Sequence, residues 1–225
     1  SLDTMGTDYV DLFLLHSQLV ENDHESQKPD SSFVATGNLT TLKSFYDAVV
    51  PAMETLKKEG KILNWGIGPG QEEAVCDVIN STTPPDAIQC GVNVLNSLGA
   101  IGYASIKPNP KLVLEESRKK DIPILAIRAV QAGALTSKMD REPHPSGFDH
   151  PDFADYEKAQ PFRELAEDWG ESPASLAHRY ALSIDKVGSV ILGIKNREEL
   201  IECLEAEKKG RLDTEQILTL ENLFN

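Results

Sequence analysis

Two stretches of this sequence carry residue types that do chemistry and set them at the ends of regular elements. His16 closes the apolar, β-forming run Tyr9-Val10-Asp11-Leu12-Phe13-Leu14-Leu15. An imidazole at a strand end can orient a carbonyl oxygen by hydrogen bonding, or move a proton. The plainer alternative is a histidine that packs the rim of the sheet. Further along, Gly193-Ile194-Lys195-Asn196-Arg197-Glu198-Glu199 puts two cations and several unbonded backbone N–H groups at a helix start. Such a start favours phosphate, because the free N–H groups and the helix dipole both attract negative charge. The alternative is solvated surface charge, with Glu199 completing a capping box behind Asn196.

Other groupings lead nowhere so specific. His144 and His150 stand near Asp149 and Asp152, side chains that zinc or manganese accept. In a polar acidic loop they are expected to bind no metal. His178 follows Ala177 and precedes Tyr180 on a helix, with no carboxylate or cysteine at useful spacing, so packing or exposure is its expected state. The chain has no G-x-S-x-G elbow and no H-E-x-x-H pair, which removes serine-hydrolase and zincin chemistry. An aldolase or sugar isomerase would show a strand-end lysine or paired carboxylates, whereas Lys61 and Lys186 precede their strands.

The elements that must position these residues alternate. Residues 9–15 read as a buried parallel strand and 39–59 as a helix, with Phe45, Val49, Met53 and Leu56 recurring on one face before Gly60. A strand over 61–67, a helix over 72–79 and a strand over 87–94 follow, then a helix over 111–120 and a strand over 122–129. Helices are expected over 161–169 and, behind the cap Ser172 and Pro173, over 173–184. A fifth strand covers 187–192, Asn196 caps the next helix, and Asp213 precedes a last one over 214–224. Residues 18–38 and 137–156 are polar and irregular, each directly after a strand, on the face where α/β barrels build their sites.

Strands alternating with helices imply a parallel sheet covered on both faces, either a barrel or a doubly wound sheet. No G-x-G-x-x-G follows any strand, so the barrel is preferred. At 225 residues one domain is expected over 1–225. With 22 Lys and Arg against 36 Asp and Glu, the net charge of -14 repels a nucleic-acid backbone. No apolar run reaches the length of a membrane span, and the N-terminus has no signal pattern. Cys76, Cys90 and Cys203 lie in or beside apolar runs without metal-ligand spacing, which suggests a reducing cytoplasm and no disulfide.

Four segments resemble the aldo-keto reductase superfamily, in its order and over nearly the whole chain. Residues 6–16, Gly-Thr-Asp-Tyr-Val-Asp-Leu-Phe-Leu-Leu-His, are similar to its fourth barrel strand ending in the active-site histidine. Residues 56–62 running into Trp65-Gly66-Ile67-Gly68 resemble its passage into the fifth strand. Residues 126–138, with Ala-Gly-Ala-Leu-Thr inside, resemble the seventh strand and its phosphate-wrapping loop, and residues 189–200 the eighth strand with the helix behind it.

The resemblance implies an α/β fold of the (β/α)8 barrel type, represented here by about five strands. It implies NAD(P)H-dependent interconversion of an aldehyde, ketone or sugar carbonyl with its alcohol. In this family a tyrosine, its pKa lowered by a lysine, protonates the carbonyl oxygen as nicotinamide delivers hydride, and a histidine orients that oxygen. His16 takes that last role. By the same alignment the chain begins inside the family's third helix, and the aspartate, tyrosine and lysine of its tetrad have no counterpart here. Gln89 matches a glutamine that holds the nicotinamide carboxamide, while Gly68 and Pro69 replace its usual serine and asparagine partners. Ile127 stands where many members stack a tyrosine on the nicotinamide, and Arg128 beside it has the nearest planar group. Gly193, Lys195, Asn196, Arg197 and Glu199 complete the expected cofactor contacts, with NADP preferred to NAD because a 2′-phosphate would use the two cations. The rival expectation is a nucleotide-binding or interaction module without catalysis, since five strands cannot close an eight-stranded barrel.

Overall fold

The computed structural model describes residues 2–22, 39–102, 105, 107–139 and 150–224. They divide into two compact units, 1–90 with 102–108 and 112–124, and 91–101 with 109–111 and 125–225.

In the first unit a short helix α1 (Leu2–Met5) leads into β1 (Val10–Leu15), which pairs in parallel with β4 (Ile62–Ile67), Phe13 opposite Trp65. Parallel pairing requires a crossover, supplied by α2 (Leu42–Ser44), a π turn over Phe45–Val49 and α3 (Val50–Lys58). Phe45 in that π turn packs edge-on against Trp65, with ring centroids 6.1 Å apart. Helix α4 (Glu72–Ile79) then returns the chain to β5 (Ala87–Gly91), which is parallel to β4. Gly66 is required where these two strands meet, because a Cβ there would overlap the Ala87 carbonyl oxygen.

Helix α5 (Pro110–Lys119) lies in the connection from β5 to β6 (Ile124–Ile127). In the second unit α6 (Pro151–Lys158), α7 (Gln160–Asp168) and α8 (Pro173–Ser183) come before β7 (Val187–Val190). The backbone bond from Ile191 N to Ala126 O, 2.8 Å, joins the end of β7 to β6. Helices α9 (Arg197–Lys209) and α10 (Thr214–Asn222) close the chain, and α9 packs along α8. Strands alternating with helices in this order make an α/β fold of the (β/α)8 type, with five barrel strands among the described residues.

Several sequence expectations are corrected. The strand over 9–15 was expected to be buried, yet β1 contains no buried residue and Phe13 is 41% exposed. Among the described residues β1 pairs only with β4, so its other edge and much of its surface lack cover. The irregular stretch 18–38 opens with β2 (Gln18–Val20), which pairs in parallel with β3 (Leu39–Thr41). Residues 39–41 are therefore strand, not the start of the expected helix. Helix α6 occupies the end of the second expected loop, where His150 accepts from Asp152 N through Nδ1 and Pro151 sits at the first helical position.

Candidate active site

In the first unit His16 follows the C-terminal end of β1, Gly68 follows that of β4, and Gln89 lies within β5. His16 directly follows Leu15 and is exposed. Gly68, beyond the end of β4, is buried, and a Cβ built on it would lie 3.4 Å from Leu15 O and 3.6 Å from Gln89 Oε1. The Gln89 amide and the backbone leading to His16 therefore flank one glycine. Gly68 leaves room there at the position where a serine would have offered a hydroxyl.

In the second unit Arg128 and Gly193 each stand two residues beyond the Ala126–Ile191 hydrogen bond, at the same end of β6 and β7. Residues 193–198 are exposed, and nothing lies within 4 Å of a Cβ built on Gly193. Asn196 caps α9, its Oδ1 accepting from Glu199 N at 2.8 Å. The Glu199 carboxylate in turn accepts from Lys195 N at 2.8 Å and from Asn196 Nδ2 at 3.0 Å. Glu199 thus occupies one of the backbone donors that a phosphate would use, while Lys195 and Arg197 carry the local positive charge. An open glycine turn with two exposed cations at the start of a 13-residue helix fits an extended dinucleotide phosphate.

Arg128 has a second life in the structure. Its Nη1 donates to Asp152 Oδ1 at 3.2 Å, and the side chains are 15% and 3% exposed. The turn beyond it runs through left-handed backbone at Arg128, Gln131 and Ala132.

The sequence profile described as the aldo/keto reductase family matches residues 1–224. The chain belongs to the aldo/keto reductase family. Among curated proteins it is similar to "Uncharacterized oxidoreductase YqkF" of Bacillus subtilis (strain 168), 25% identical across 99% of this chain and 62% of that protein. Among solved structures it resembles the holo form of the aldo-keto reductase AKR11C1 from Bacillus halodurans, with TM-score 0.69, 19% identity and coverage of 99% of this chain and 63% of that one. The thermostable aldo-keto reductase Tm1743, solved with the inhibitor epalrestat, gives TM-score 0.63 at 18% identity, covering 99% and 62%. At these identities the solved structures speak for the fold. The chain spans a little under two thirds of the length of the relatives it matches.

For an aldo/keto reductase chain, two features were missed in the sequence. His178 is packed in the interior, one of its two expected states, and Cys203 Sγ lies 3.3 Å from its Nε2. The partners are 25 residues apart on separate helices, so local spacing held no sign of the pair. The sequence offers Asp152 as a metal-ligand type, whereas in the structure it pairs with Arg128. The sign that could have found it was the pair Asp152 and Asp155, one helical turn apart just after Pro151. Among the described residues no group of three His, Cys, Asp or Glu could hold a metal, while His144 and Asp149 fall outside them. No described helix is long and apolar enough to cross a membrane. None of the three cysteines forms a disulfide.

Proposed function

We propose that this chain supplies the carbonyl-orienting histidine and much of the cofactor-binding face of an NAD(P)H-dependent oxidoreductase that interconverts an aldehyde, ketone or sugar carbonyl with its alcohol. The observation that carries the reading is Gln89 and the strand end before His16 meeting around Gly68, in a chain whose residues 1–224 match the family. Bound there, the nicotinamide would supply hydride. Gln89 would hold the carboxamide, Arg128 would lie beside the ring, and Gly193, Lys195, Asn196, Arg197 and Glu199 would receive the adenosine phosphates and ribose. His16 would donate a hydrogen bond to the carbonyl oxygen and stabilise the negative charge that builds on it. The two cations favour NADP over NAD. Three thiols without a disulfide suit a reducing cytoplasm.

Fluorescence titration of the chain with NADPH and NADH tests the cofactor half of this reading. Lys195→Met and Arg197→Met should each weaken NADPH by about tenfold, the loss of one charge-assisted hydrogen bond, and weaken NADH less. Equal losses for the two cofactors would remove the preference for NADP. The reaction half is read from NADPH oxidation with a small aldehyde in a protein that joins this chain to the strands bearing the family's tyrosine, and it is expected to fall in His16→Ala. A second reading is a nucleotide-binding module without catalysis. NADPH binding with no oxidation by the protein that also carries the tyrosine-bearing strands would select it.

A further inference from the structure

The turn after β6 is costly in backbone terms and heavily tied down. Arg128, Gln131 and Ala132 hold φ of 58°, 43° and 53°, left-handed values that side chains other than glycine rarely adopt. Such conformations persist where the surroundings over-determine them, and they collect at functional sites. Here the surroundings are two acidic side chains one turn apart on α6. Asp152 Oδ1 accepts from Arg128 Nη1 at 3.2 Å and from Ala100 N at 3.1 Å. Asp155 Oδ2 accepts from Gln131 Nε2 and from Ser97 Oγ, both at 2.6 Å. Gly99 passes between them with no space for a side chain, since a Cβ there would overlap Asp152 Oδ1 and Gln131 Nε2. Asn93 Nδ2 ties the two turns directly, donating to Ser97 O at 2.8 Å and to Arg128 O at 3.1 Å. Helix α6 therefore clamps the turn after β5 and the turn after β6 by two carboxylates on one face.

We propose that Asp152 is a positioning residue that holds the Arg128 guanidinium in one orientation as a planar support for the dinucleotide, with Asp155 fixing the turn's backbone through Gln131. The proposal rests on the reading of Arg128 as a cofactor contact. The chemistry suits it, because a guanidinium is flat, presents five donors and is fixed in direction by a carboxylate that takes only part of them. Asp152 also cancels most of the cation's charge, so Arg128 would act through its plane and not as an anion trap.

Two measurements on the whole chain test this. Labelling with an arginine-selective dicarbonyl, read by mass spectrometry, needs no cofactor. Arg128 should react at least about tenfold faster in Asp152→Asn than in the wild type, because the variant loses the ion pair. Equal rates would overturn the clamp. NADPH affinity should fall by about tenfold in Asp152→Asn and in Arg128→Ala, and the double variant should lose no more than either single one. Additive losses would show that Asp152 does not act through Arg128. If Asp152→Asn does not fold, Arg128→Lys decides: it keeps the charge but loses the plane, and an unchanged NADPH affinity would overturn the support role. A wild-type chain that binds no NADPH sinks the cofactor reading, and with it the purpose of the clamp, whereas the labelling ratio still decides the clamp itself.

Discussion

Cys203 Sγ lies 3.3 Å from His178 Nε2, so one thiol–imidazole contact ties α9 to α8. Burial holds the His178 imidazole below its ordinary value of 6.5, against a smaller opposing pull from Glu202. Burial, with the charges of Glu202 and Glu199, pushes the Cys203 thiol up. The pair is therefore neutral at pH 7, thiol against imidazole, and not the ion pair of a reactive cysteine.

A pH dependence follows from His178. A group whose folded pKa lies below its unfolded value binds its proton more readily in the unfolded chain. Stability is therefore complete above pH 6.5 and declines as the pH falls through that value towards the folded pKa, at up to about 1.4 kcal/mol per unit. Urea midpoints measured from pH 7.5 to 5.5 should fall in the wild type and fall less in His178→Asn. Identical slopes would remove His178 as the source.

The second prediction concerns Glu171, whose side chain is 8% exposed and accepts from Arg179 Nη1 at 2.5 Å and from Ser175 Oγ at 2.6 Å, with Lys209 Nζ at 3.3 Å. Burial alone would raise its pKa, but the hydrogen bonds from Ser175 and Arg179 outweigh it and hold the carboxyl below 4.5. Arg179→Met leaves this carboxylate short of its main partner and should cost about 3 kcal/mol by urea unfolding at pH 7. The double variant with Glu171→Gln should cost less than Arg179→Met alone, and a larger cost would contradict the pairing. Because the folded value is depressed, the pair's contribution is complete above pH 4.5 and is lost as the pH falls further.

Gly66→Ala tests the approach of β4 to β5. The added methyl meets a backbone carbonyl, which cannot turn aside as a side chain would, and also the Leu14 side chain. A loss of about 3 kcal/mol is expected, at the upper end for overpacking. Trp65, whose Nε1 donates to Glu54 Oε1 at 2.9 Å, should report the loosened strand by a shift in its emission. A wild-type midpoint in this variant would mean that the strands tolerate more separation than their pairing suggests.

Asn196→Ala should lower stability by about 1 kcal/mol through loss of the α9 cap. The Glu199 amide, bonded to Asn196 Oδ1, should exchange its hydrogen faster in the variant while amides in the middle of α9 change little. Uniform acceleration along the helix would instead point to global unfolding.

Much of the secondary structure was legible in the sequence because its signals are local. Helix 72–79 has the bounds expected of it, Ser172 and Asn196 stand as the expected caps, and Asp213 caps the last helix that it precedes. A cap and a run of helical spacing act within one or two turns, so no distant residue is needed to recognise them. The strand segments were placed with overlong ends: 87–94 stops at Gly91, and 122–129 shrinks to Ile124–Ile127. Apolar character runs on past the last ladder bond, and only the position of the neighbouring strand decides where pairing ends. Helix α6 was hidden because Pro, Asp and His make a loop-like composition, although His150 and Pro151 are its start signal.

The sequence by itself determined the alternation of strand and helix, the caps, and the order of segments that marks an aldo/keto reductase chain. Tertiary structure alone decided the pairing of β2 with β3, the exposure of β1, the contact of Cys203 with His178, and the union of Asp152 with Arg128. The physical reason lies in range. Propensity, capping and periodicity are set by residues a few positions apart, whereas burial and pairing depend on which distant segments the path of the chain brings alongside.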